Sequence, residues 1–108
     1  MPGRRNLLDA HTDWHYALLM EFTWSDAKRL GNIAKHGVDF TVVRDMEWDA
    51  ALVRADLAYG AGEVRLKAIL PLGDRLYLVV FTLRTNTCRI ISLRKASNQE
   101  VRFYAAHV

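Results

Sequence analysis

The sequence has only one cysteine, Cys88, which excludes an internal disulfide and any metal cage built from several thiolates. No run approaches the roughly eighteen apolar residues of a transmembrane helix. The first twenty residues contain Arg4 and Arg5 but no clean apolar segment leading to a small-residue cleavage site, so no signal peptide is expected. A cytoplasmic location follows as the expectation. His11, His15, His36 and His107 share no metal-ligand spacing, and neither an H-E-x-x-H pair nor a glycine-rich phosphate loop occurs. Neither a metal nor another cofactor is therefore expected. Carboxylates are scarce late in the chain, where residues 61–108 carry three Asp/Glu against eight Lys/Arg. Residues 1–60 carry nine against seven, so the formal net charge of +3 arises entirely from the second half. Cations concentrated in one part of a small protein suit a polyanion such as nucleic acid.

What is present fits a single small globular domain: 108 residues, 51% of them apolar and 25% charged. "LLMEFTW" (18–24) reads as an aromatic strand. "DAKRLGNIAKH" (26–36) reads as a helix with Ser25 or Asp26 at its start, an apolar stripe of Ala27, Leu30, Ile33 and Ala34, and Gly37 at its exit. A second helix is expected over 39–48 and a short strand over 51–55, followed by a loop at 57–63. Strands are expected over 63–70, 75–83 and 88–94, with turns at "PLGD" and "RTNT". Ser97 and Glu100 form a capping-box pattern that starts a final helix. The order strand, two helices, four strands, helix predicts an α+β domain with helices packed on one face of a mostly antiparallel sheet.

If Arg84 pairs with Arg89 across the last hairpin, alternation sorts the side chains. Leu76, Leu78, Val80, Thr82, Ile91 and Leu93 then share the face under the helices. Tyr77, Val79, Phe81, Leu83, Ile90, Ser92 and Arg94 share the other, joined by Glu63, Arg65 and Lys67. Basic groups among aromatic rings suit RNA, because cations neutralise phosphates and rings stack on unpaired bases. The same set could cleave a strand without metal. Glu63 or neutral His36 would take the 2′-hydroxyl proton, and Arg65 or Arg94 would stabilise the phosphorane through two parallel N–H donors. The competing structural account is a Glu63–Arg65 surface ion pair, with Tyr77 and Phe81 in a second small core.

Three ordered motifs resemble the BrnT toxin family. "FTWSDAKRLGNIAKHGVDF" is similar to its opening W-x-x-x-K-x-x-x-N-x-x-K-H-G-V-x-F, "GEVRLKAIL" to its G-E-x-R strand, and "RIISLRKASNQEVRFY" to its R-I-I-S-x-R-x-A-x-x-x-E-x-x-x-Y ending. The resemblance spans about residues 21–104. It implies a RelE-like ribonuclease fold and the toxin of a type II toxin–antitoxin system that cleaves RNA and inhibits translation. It also implies a BrnA-like ribbon-helix-helix antitoxin in a hetero-oligomer, with operator DNA bound only through that partner. Residues 1–19 are expected to be an N-terminal extension, and 20–108 a single toxin domain. The matching polar positions are Lys28, Asn32, Lys35, His36, Glu63, Arg65, Arg89, Ser92, Arg94, Glu100 and Tyr104.

The candidate catalytic residues are His36, Glu63, Arg65 and Arg94. Candidate RNA contacts are Lys28, Lys35, Lys67, Tyr77, Arg84 and Arg89. Lys28, Asn32 and Lys35 share one helix face, which a plain solvated stripe would also explain. The alternatives are a non-catalytic RNA- or ribosome-binding domain, or a module that only binds an antitoxin. No membrane contact is expected.

Overall fold

The computed structural model describes residues 21–56, 64–84 and 86–108. The expected extension at 1–19, the first residues of the 18–24 strand, the 57–63 loop and Glu63 lie outside them. Strand β1 (Glu21–Thr23) leads into helix α1 (Asp26–His36), then two 3-10 segments (Phe40–Asp45 and Trp48–Ala50). Strands β2 (Leu52–Asp56), β3 (Arg65–Leu72), β4 (Arg75–Leu83) and β5 (Thr87–Lys95) follow, and helix α2 (Asn98–His107) closes the chain. The five strands form one sheet in the order β1-β5-β4-β3-β2, antiparallel except where β1 lies parallel to β5. The domain is therefore α+β with a mostly antiparallel sheet, as the element order predicts. The helical segments are not all on one face, however: the closing helix lies over Leu52, Ile69 and Leu78, opposite the face that the 3-10 pair covers.

Local chemistry explains the boundaries. Ser25 caps α1 by accepting from the Lys28 amide, and Gly37 ends it at φ 73°, a left-handed conformation that glycine adopts at little cost. The β3–β4 hairpin turns on Gly73 and Asp74, with Leu72 opposite Arg75 and Gly73 at φ 63°. Ser97 and Glu100 complete the capping box at the start of α2.

The segment expected as a second α-helix is a pair of 3-10 pieces instead. Its Thr41-Val42-Val43 run is stiff at χ1 and disfavours α-helix. The Trp48 indole also donates to the Val43 carbonyl at 2.9 Å, while the Glu47 amide donates to Pro71 at 3.0 Å. The i→i+4 bond between those backbone groups is thereby replaced.

This segment covers one sheet face and forms its core. Phe40, Val43 and Trp48 pack on Val53, Leu66, Ala68, Leu70, Val79, Phe81, Ile90 and Leu93. Trp48 meets Phe81 edge-on at 5.6 Å and stacks on Phe22 at 5.7 Å. Helix α1 packs beside β5, in an orientation the apolar stripe does not predict. Ala27, Leu30 and Ala34 are exposed, Leu30 by 57%, while Asn32 is buried. The Asn32 amide donates to the carbonyls of Leu93 (2.7 Å) and Val38 (3.0 Å) and accepts from the Leu93 amide (3.2 Å). Strand β1 pairs with β5 only as far as Arg89. Beyond it the β5 backbone groups still need partners, so the helix presents an amide to them and not leucine.

Candidate nucleic-acid interface

Strand register decides which side chains share the second face. Arg65 lies opposite Thr82, Lys67 opposite Val80 and Ile69 opposite Leu78. Across the next pair, Thr82 faces Arg89, Val80 faces Ser92 and Leu78 faces Arg94. The β4–β5 register shifts between Val80 and Phe81, leaving Ile91 without a partner. Such a bulge reverses the alternation on one side of it. Arg65, Lys67 and Arg94 therefore share a face, joined by Arg89 and, through its pairing with Lys67, Arg54.

Their neighbours differ from those expected. Tyr77 and Phe81 lie on the opposite face: Phe81 is fully buried in the core, and Tyr77 packs against it half-buried. The assumed Arg84–Arg89 pairing is also replaced. Arg89 lies opposite Thr82, and the Arg84 amide donates to the Thr87 carbonyl to close the turn. Two displacements, one in β3–β4 register and one at the bulge, cancel for Arg65, Lys67 and Arg94. The cations stay together and the aromatic rings leave.

The basic face has three bands. At one end Asp56, Arg65, Thr82, Arg89 and Thr23 align across all five strands. The Thr82 hydroxyl is buried there and has no hydrogen-bond partner among the described residues, an exception that buried polar groups rarely make. Arg84 and Arg89 line a hollow with Thr23 and Thr87 beside this band. The middle band holds the exposed Arg54 and Lys67. The third, Leu52, Ile69, Leu78 and Arg94, lies under α2.

Helix α2 is fastened by a few polar contacts and buries no residue fully. Arg94 makes a bidentate pair with Glu100, both bonds at 2.9 Å. Glu100 also accepts from the Ser97 amide at 2.8 Å. The Arg94 guanidinium, with the Ser97 amide beside it, holds the Glu100 carboxyl below its ordinary 4.5. Arg94 thus anchors the helix at the border of the basic face. Tyr104 donates its hydroxyl to the Ala50 carbonyl at 2.7 Å. The Arg54 guanidinium lies 4.3 Å above the Phe103 ring, which stacks at 3.9 Å on His107. Between α2 and the sheet a cleft of about 380 Å³ remains, floored by Leu52, Ile69 and Leu78 and bordered by Arg54, Lys67, Gln99 and Phe103.

The other sequence candidates sit on α1 or at its end. Lys28 and Lys35 are exposed, and His36 is half-buried in the last turn. Asn32 serves the β5 edge and is not available to a ligand. Cys88 is buried and its thiol is pushed up to about 12 by desolvation, which makes it an inert core residue. Arg54, Phe103 and Thr82 escape the sequence reading. Arg54 does leave a trace as the lone cation of its strand, set between apolar Val53 and Ala55.

An α+β domain with one dry sheet face and one face banded by cations has the build of a small anion-binding protein. The sequence narrows this class further. Residues 24–100, more than two thirds of the chain, match the family described as the ribonuclease toxin, BrnT, of type II toxin-antitoxin systems, and the chain belongs to that family. No curated protein matches it. The family assigns a ribonuclease activity and an antitoxin partner.

Proposed function

We propose that the chain is an endoribonuclease that cleaves RNA without a metal ion, inhibits translation in the cytoplasm and is neutralised by a BrnA-like ribbon-helix-helix antitoxin. One observation carries the RNA reading: Arg54, Arg65, Lys67, Arg89 and Arg94 come from three strands to one sheet face. Phosphate contacts of this kind dominate the affinity of proteins for nucleic acids. Among the described residues no three His, Cys, Asp or Glu side chains gather where a metal could be held, and arginine can take over charge stabilisation.

In the proposed reaction a base removes the 2′-hydroxyl proton and the oxygen attacks the adjacent phosphorus. The bond to the 5′-oxygen breaks, and that oxygen takes up a proton. Arg65 and Arg89 flank buried Thr82 in register, and we assign them to the phosphate oxygens. Glu63, two positions before Arg65, and His36 remain the base candidates. Arg94 acts less directly, because Glu100 occupies its fork. Lys67 and Arg54 extend the strand-binding surface, with Arg84 at its end and Lys28 and Lys35 on α1 as outlying contacts. Operator DNA would be reached only through the antitoxin.

The test uses purified full-length protein and single-stranded RNA in excess chelator. Fragments ending in 2′,3′-cyclic phosphate are expected. Intact RNA under both chelator and magnesium would defeat the ribonuclease assignment, and cleavage only with magnesium would defeat metal independence.

A further inference from the structure

We propose that the cleft between α2 and strands β2–β4 is a subsite for a single nucleobase of the RNA strand, an inference that rests on the ribonuclease reading above. Electrostatic contact with a phosphate chain requires cations on an open surface, not an apolar hollow. Yet Leu52, Ile69 and Leu78, exposed by only 6–8%, floor a cleft beside the cation bands. Its charged lining is balanced, Arg54 and Lys67 against Asp56 and Glu100. Such a lining favours a neutral planar group over a phosphate, which the neighbouring Arg65–Thr82–Arg89 band suits better.

Size and shape point the same way. About 380 Å³ is at the small end of ligand sites, which run from about 300 to 1,000 Å³. That admits one nucleotide and excludes a partner helix, which is about 10–12 Å across. Helix α2 stands over the hollow without filling it, held by Glu100, Phe103 and Tyr104. The wall is the plane of the Arg54 guanidinium, held 4.3 Å above the Phe103 ring, which itself stacks on His107 at 3.9 Å. Aromatic and guanidinium planes are the surfaces on which unpaired bases stack. Gln99, exposed in the first turn of α2, brings an amide donor and acceptor to the rim where a base edge would lie. Lys67, directly across from Arg54, is placed for the phosphate attached to that base.

The full-length protein is titrated with AMP, GMP, CMP and UMP, with ribose 5-phosphate as the baseless control. At least one nucleotide should bind roughly tenfold or more tightly than the control, the scale of one stacked base. Phe103→Leu, which removes the ring but keeps an apolar side chain, should bring that nucleotide down to the control. Gln99→Trp, which fills the cleft from an exposed position, should do the same. Equal binding of nucleotides and ribose 5-phosphate overturns the proposal, as does unchanged binding in both variants. A short oligoribonucleotide and its copy with one abasic position separate a strand-borne base from a free nucleotide. Tighter binding of the intact oligonucleotide supports the proposal, and binding of mononucleotides alone overturns it. Cleavage of RNA without any base-dependent binding removes the subsite and leaves the ribonuclease standing. Base-dependent binding without cleavage does the reverse.

Discussion

The two faces of the sheet are made from the same strands, yet they are built on different terms. On the first, Trp48, Phe40, Phe81, Val79, Ile90 and Leu93 are at most 1% exposed and interlock through ring contacts. On the second, α2 covers one end and buries nothing completely, while cations occupy the remainder. The dry face supplies the cohesion, so the other can carry like charges side by side and the Thr82 hydroxyl, which has no partner among the described residues. Cohesion and charge are divided by the plane of the sheet.

Substitutions on either side can break or sharpen that division. The largest effect is expected at the centre of the dry face, where Trp48→Ala should cost about 3–5 kcal/mol in denaturant unfolding. A loss below about 1 kcal/mol would show that cohesion resides elsewhere. On the charged face, Arg65→Ala should lower RNA cleavage by about 10²–10³-fold, as loss of a transition-state donor does. RNA affinity, measured in parallel, should fall far less. At the flank of β5, Asn32→Ala leaves the Leu93 amide and carbonyl without their partners and should cost about 2–4 kcal/mol.

A smaller effect belongs to the fastening of α2. Glu100→Gln should destabilise the protein by about 1 kcal/mol at neutral pH, the upper range for a partly exposed pair. The sign of its pH dependence follows from the lowered carboxyl. The folded protein binds that proton less readily than the unfolded chain, so the stabilisation is complete above the ordinary 4.5. It fades as the pH falls through the lower, folded value, and wild type and variant should converge in acid. The smallest change is expected at exposed Lys67, where Lys67→Ala should reduce the salt slope of RNA binding by about 1 and leave thermal unfolding unchanged.

Much of this plan can be read from the residues alone. Alternation exposes β3, β4 and β5, the Ser97–Glu100 box starts α2, and Gly37 ends α1. Each is a local signal read within a few positions. The failures are non-local. A bulge at Ile91 leaves no mark in an apolar run, yet it carries Ser92 and Arg94 to the other face. Helix α1 displays Leu30 outward because the backbone of a distant strand requires Asn32, and no periodicity within the helix encodes that. The cation cluster was legible because two register shifts compensate. Its aromatic companion was not, since Phe103 reaches the site from a helix rather than from Tyr77 or Phe81 in the sheet.

The amide of Asn32 has a consequence beyond the single chain. Strand β1 ends after three residues, and an edge of β5 left bare beyond it would offer a template for a strand of another molecule. By occupying both polar groups of Leu93, Asn32 closes that template before a second chain can reach it. Loss of this residue should therefore appear as time- and concentration-dependent self-association, in addition to the lowered stability.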